Sequence, residues 1–188
     1  MGIILLVLLV VAAFWVVGAY NGLIALKNQV ANAWKQIDVQ LKRRHDLIPN
    51  LVNAVKGQMD FERGTLEAVI SARAKALSVT GVAATAKAEG ELTQALGKLF
   101  ALAENYPELK SSANVLQLQQ ELSSTENQLG AARQLYNDTA TQYNTRQAQF
   151  PTNLVAGLAQ ATPSELWEIT DAAERAVPTV DFGRRPGE

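Results

Sequence analysis

The first twenty residues, "MGIILLVLLVVAAFWVVGAY", carry no charged side chain. At about 1.5 Å per residue, a helix of that length covers roughly 30 Å, the thickness of a bilayer's hydrocarbon core. Trp15 and Tyr20 fall toward its far end, where amphipathic aromatics favour the water interface. Two other readings compete. A cleaved signal peptide is disfavoured because no Lys or Arg precedes the run and no clear small-x-small cleavage site follows it. A buried core helix is disfavoured because nothing on this helix is polar enough to face water. Residues 1–20 are therefore read as a transmembrane helix, with the lipid bilayer as a partner. Lys27 and Lys35, then Lys42, Arg43 and Arg44, follow the span, and no basic residue precedes it. The positive-inside rule favours an outside N-terminus and a cytoplasmic body.

The rest of the chain reads as helix. Apolar residues recur at steps of three and four: Leu23, Leu26, Val30, Trp34, Ile37, Leu41, then Arg44, then Ile48, Leu51 and Val55. That is the seam of helices packed side by side. With no breaker before Pro49 except Gly22, the membrane helix is expected to run on into the body as one rod. A reversal is expected near Gly57. A second helix over about 60–78 would use Leu66, Val69, Ile70, Arg73 and Leu77. A third over about 84–105 would use Leu92, Leu96, Leu99 and Phe100. The stretch "YPELKSS" reads as a connection, because proline disfavours helix at the residue before it. The fourth helix, about 111–150, alternates threes and fours from Val115 through Leu118, Leu122, Thr125, Leu129, Ala132, Tyr136, Thr139, Tyr143 and Arg146 to Phe150.

These lengths predict an all-α fold. An N-terminal transmembrane helix continues into an elongated antiparallel bundle over 21–150, with four helices far from the membrane and a two-helix stalk near it. The tail, 151–188, is expected to be partly irregular. Its Leu154, Val155, Leu158 and Trp167 suit either the membrane interface or the side of the stalk.

Several stretches resemble the LemA family: "DVQLKRRHDLIPNLV" with the residues around it, "TLEAVISARAKA", "ENYPELKSS", "TENQLGAARQLYND" and its flanks, and the closing "VPTVDF". They run in order over most of the chain. The resemblance implies an α-helical antiparallel bundle on an N-terminal anchor, set in a bacterial cell (inner) membrane as a single-pass protein. It implies little chemistry. The Ala-rich segment from Gly81 to Gly90 departs mildly from the family.

No constellation for catalysis emerges. Di-iron bundles draw on paired Glu-x-x-His motifs, and His45 is the single histidine. Zinc hydrolysis fails for the same shortage of ligands, and no nucleophile elbow or phosphate loop is present. His45 reads as a surface histidine. No catalytic, cofactor-binding or metal residues are assigned, and a net charge of −1 argues against nucleic acid. Arg44 occupies the seam and needs carboxylate partners. Glu62, Glu67, Glu126 and Asp138 are candidates, and Asp46 is expected to cap a kink or restart at Pro49. Arg44, Asp46, Glu126 and Asp138 are thus the polar-core candidates.

The outside of the fourth helix is poor in Lys and Glu, and that depletion is an interface trait. Gln117, Gln120, Ser124, Gln128 and Gln142 are the self-association candidates. The function expected is a non-enzymatic, membrane-anchored scaffold that assembles with itself and organises membrane or gathers other membrane proteins. The alternative is an adaptor or sensor subunit for a membrane enzyme such as a protease, without large self-assembly.

Overall fold

The computed structural model describes residues 1–56 and 63–168. The reversal near Gly57, the candidate partner Glu62 and the "VPTVDF" stretch lie outside the described residues. Six helices follow in order: α1 Gly2–Lys56, α2 Arg63–Ser78, α3 Val82–Ala103, α4 Pro107–Ser111, α5 Ala113–Ala148 and α6 Asn153–Ala156. There is no strand among the described residues, and the fold is all-α.

α1 is a single helix of 55 residues, about 80 Å long at the usual rise. Its first part is bare: from Ile3 to Val17 every large apolar side chain is exposed. Burial begins at Ala19 and Leu23 and then follows the seam through Val30, Ala33, Ile37, Leu41, Arg44, Ile48, Leu51 and Val55. One helix thus serves two environments, changing from an all-round apolar surface to a one-sided stripe.

Pro49 lies inside α1 without ending it, so no restart occurs there for Asp46 to cap. The physical reason is specific. A proline has no N–H, so the carbonyl four residues earlier loses its helical donor. That carbonyl belongs to His45, and Arg73 of α2 donates its Nε to it at 2.8 Å. A neighbouring helix therefore replaces the hydrogen bond that the proline removes. Arg73→Met is expected to cost about 1–3 kcal/mol by orphaning this carbonyl. In a Pro49→Ala background the helix supplies its own donor, and the same substitution is expected to cost much less. A double-mutant cycle of denaturant unfolding checks the difference.

The far end holds one core: Ile48, Leu51 and Val55 of α1, Leu66, Val69 and Ala76 of α2, Leu92, Leu96 and Leu99 of α3, Leu109 of α4, and Val115 and Leu122 of α5. Fully buried leucines such as Leu92 and Leu99 each contribute on the order of 1.5–3 kcal/mol. α2 uses Leu66, Val69 and Ala76 inward, while Ile70 and Leu77, expected on that face, are 51% and 54% exposed. Gly81, at φ 90, turns the chain from α2 into α3, a conformation that favours glycine. The stretch taken as a connection forms the short helix α4, because Pro107 sits at its first turn, where no N–H is needed.

Nearer the apolar end, α1 and α5 pair antiparallel, with α6 packed against both. Their shared core runs from Leu23 to Leu41 on α1 and from Leu129 to Tyr143 on α5, and is closed by Ala159 and Trp167 of the tail. Inward positions on α5 pass from Tyr136 to Ala140, Tyr143 and Gln147, rather than through Thr139 and Arg146. A straight helix drifts about 20° per heptad against a seven-residue pattern, or about one residue over five heptads. Phe150, the last seam position expected, is 79% exposed.

Candidate functional site

Three features on the α1/α5 pair carry what chemistry the chain has. The first is a buried charge cluster where the two-helix part meets the four-helix part. Arg44 is 3% exposed and Glu89 is fully buried. Arg44 Nη1 donates to Glu89 Oε2 at 3.0 Å and lies 3.3 Å from Glu126 Oε2. Its Nη2 donates to Thr93 Oγ1 at 2.8 Å. His45, 6% exposed, has Nε2 2.6 Å from Glu89 Oε1. Beside a carboxylate, that nitrogen carries the proton and donates it. Arg133 Nη1 donates to Glu126 Oε1 at 3.2 Å. The cluster thus gathers two arginines, two glutamates and His45.

Sequence reasoning reached half of this cluster. Arg44 and Glu126 come together. Asp46 and Asp138 are exposed and make no ion pair among the described residues, so they are not part of the polar core there. Each projects from the solvent side of its helix, away from the seam. His45, read as a surface residue, is buried. Glu89 went unnoticed, although Thr85, Glu89, Leu92, Leu96 and Leu99 alternate four and three. That spacing places a carboxylate in the α3 seam, and a buried carboxylate requires a cation.

The second feature is the tail. Residues 161–168 run extended along α5, held by two asparagines. Asn144 Nδ2 donates to the Ser164 carbonyl at 2.8 Å, and its Oδ1 accepts the Ser164 N–H at 2.8 Å. Asn137 does the same for Trp167, at 2.9 and 2.8 Å. Each side-chain amide imitates the backbone of a neighbouring strand. The register closes because three extended residues span about 10 Å, as do seven helical ones. Tyr136 donates its hydroxyl to the Glu165 carbonyl at 2.7 Å. Burial, and then the charge of Glu165, push that phenol above its ordinary pKa, so it stays a donor. Trp167 is buried, with its ring 6.1 Å from Trp34 and the Arg133 guanidinium 4.7 Å above it. Burial lowers the Arg133 pKa, opposed by Glu126. This strap decides between the two tail expectations for Trp167, which packs on the stalk.

The third feature is a groove of about 500 Å³ on the other flank of the pair, lined by Lys35, Gln36, Val39 and Gln40 of α1 and Gln128, Ala131, Ala132 and Leu135 of α5. Val39 is 62% exposed and Leu135 45%. Gln128, Leu135 and Gln142 recur at spacing seven and share this flank. Gln117, Gln120 and Ser124 are also exposed, farther along α5, with Gln117 donating to Glu121 at 3.0 Å. Among the described residues, no group of three or more His, Asp or Glu side chains is placed to hold a metal ion.

A family model described as the LemA family matches residues 33–182. The chain is also similar to "Protein LemA" of Metamycoplasma hominis, at 33% identity over 145 residues. The alignment covers 76% of this chain and 66% of that relative, a little under two thirds of the relative's length. The family match starts beyond the bare apolar part of α1.

Proposed function

The chain belongs to the LemA family, and on that footing we propose that it is a non-enzymatic scaffold, anchored in a membrane and assembled from several copies of itself. The anchor is the first part of α1, the one described helix long and apolar enough to cross a bilayer. The setting proposed is a bacterial inner membrane, with the N-terminus outside and the body cytoplasmic. Lys27, Lys35, Lys42 and Arg43, all exposed on one side of the span, support that orientation.

The observation that carries self-association is the asymmetry of α5. One flank is covered by the chain's own strap. The other, along Gln128, Leu135 and Gln142, lies open beside Val39, and Lys35 is the single charged residue lining the groove. An apolar-centred, charge-poor groove on a rod fits a like rod set parallel to it. Confinement to a plane raises the effective concentration of copies and helps a shallow contact suffice. Such an array would organise membrane or gather other membrane proteins.

Cross-linking tests this. The chain has no cysteine, so Gln128→Cys gives one thiol per copy. In native membranes, a short bifunctional thiol reagent is expected to join Gln128→Cys chains into dimers and higher species. Ala101→Cys, exposed on α3, is expected to remain single. Single chains at both positions, or equal joining at both, would overturn the proposal. A discrete adduct of Gln128→Cys with a different protein would favour the adaptor reading.

A further inference from the structure

The longest uncharged run outside the N-terminal one lies between Arg146 and Glu165. It holds α6 and the turns around it, and it has two faces. Thr152, Val155 and Ala159 point inward, at 3%, 2% and 5% exposure, and α6 packs on both α1 and α5. Phe150, Leu154 and Leu158, four residues apart, point outward at 79%, 68% and 71%. A free-standing body does not normally leave three large apolar side chains together in water, and such a patch calls for a cover.

The antiparallel register says what lies beside it. Trp34 stacks against Tyr136, and Arg44 reaches Glu126. Ten residues up α1 thus match ten residues back along α5. The same register toward the apolar end brings Gln147, one residue before the end of α5, level with Leu23, and Phe150 follows just beyond it. At the other end of the segment, the Gln160 carbonyl lies 3.5 Å from Lys27 Nζ. The patch therefore occupies the stretch of α1 between Tyr20 and Lys27. That is roughly 10 Å of rod beginning where the apolar run stops, enough to cover a bilayer's headgroup zone of about 5–8 Å on each side.

We infer that Phe150, Leu154 and Leu158 form a second membrane contact, a foot that dips into the interface of the same bilayer that the first part of α1 crosses. The partner is a lipid surface, recognised by apolar burial without a charge requirement, since the run offers no basic residue to an anionic headgroup. Anchored at two points, the rod would be held at a fixed tilt and rotation, and every copy would present its groove in the same sense. This rests on the proposal that α1 spans the membrane.

The test uses the full chain in phosphatidylcholine vesicles, with a nitroxide on one introduced cysteine at a time. Leu154→Cys and Leu158→Cys report on the foot, Val10→Cys on the span and Ala101→Cys on water. Collision with oxygen relative to a water-soluble nickel chelate reads depth. The foot labels are expected to fall between Val10→Cys and Ala101→Cys. Foot labels matching Ala101→Cys, or shielded from both reagents by protein, would overturn the foot while a lipid-like Val10→Cys keeps the span. A water-like Val10→Cys would overturn both.

Discussion

Glu89→Ala is expected to destabilise the chain by about 3–5 kcal/mol, since breaking a buried ion pair strands the remaining charge. For a chain of this size that lowers the thermal midpoint by on the order of 10 °C. Glu89 is the sole carboxylate bonded to both Arg44 and His45, and each of those side chains is held on α1 with little access to water. Arg44 would keep its hydrogen bond to Thr93 and, as an ion pair, the longer contact to Glu126. A second variant separates pairing from packing. In Arg44→Met with Glu89→Leu neither member of that ion pair is left behind, Glu126 retains Arg133, and His45 loses its carboxylate just as in the single variant. This double variant is expected to cost clearly less than Glu89→Ala alone, because well-packed apolar residues often replace buried ion pairs at little loss. Denaturant unfolding of the detergent-solubilised chain measures both. A double variant as unstable as the single would mean that the cluster is strongly attractive in itself.

Trp167→Ala is expected to cost about 3–5 kcal/mol of strap stability, the usual range for deleting a buried tryptophan. The ring fills the gap beside Trp34 and carries the Arg133 guanidinium. Without it the Asn137 and Asn144 pairs and the Tyr136 hydroxyl must hold the segment by themselves, against the entropy of ordering it. Amide hydrogen exchange reads the result. The Ser164 N–H, bonded to Asn144 Oδ1, is expected to lose its protection, while α1 and α5 amides around Tyr136 keep theirs. Unchanged protection at Ser164 would show that the asparagines suffice. Collapse of the helix pair itself would show that the strap is integral to the stalk.

The helices were legible in the sequence because their signal is long and repeated. A seam that returns every three or four residues over thirty survives several polar interruptions. Arg44 was recognisable as an interruption that needs an acid. Glu89 was not, because it lies in an Ala-rich segment, between Ala88 and Gly90, and small residues pattern as weakly on a buried face as on an exposed one. His45 illustrates a different limit. Its sequence neighbours are charged and suggest water, but burial is decided by α3, which no local pattern locates. Asp46 is a candidate as a cap and Asp138 as a partner for Arg44, but the helical angle of each places it outside. Pro49 carried a sound local expectation, overridden by a tertiary donor from Arg73. The strap had a faint signal. Asparagine is a poor helix residue, and two of them seven apart on a long helix suggest a task for the side chain. Extended tails lack periodicity, so the partner of those asparagines could not be read.

The central claim is that this rod works as one of many. The mass of the particle released from the membrane by a gentle detergent tests it most directly. The account expects a discrete particle several times the 20.3 kDa of one chain, containing no other protein. A particle holding one copy, alone or bound to a different protein, would contradict it.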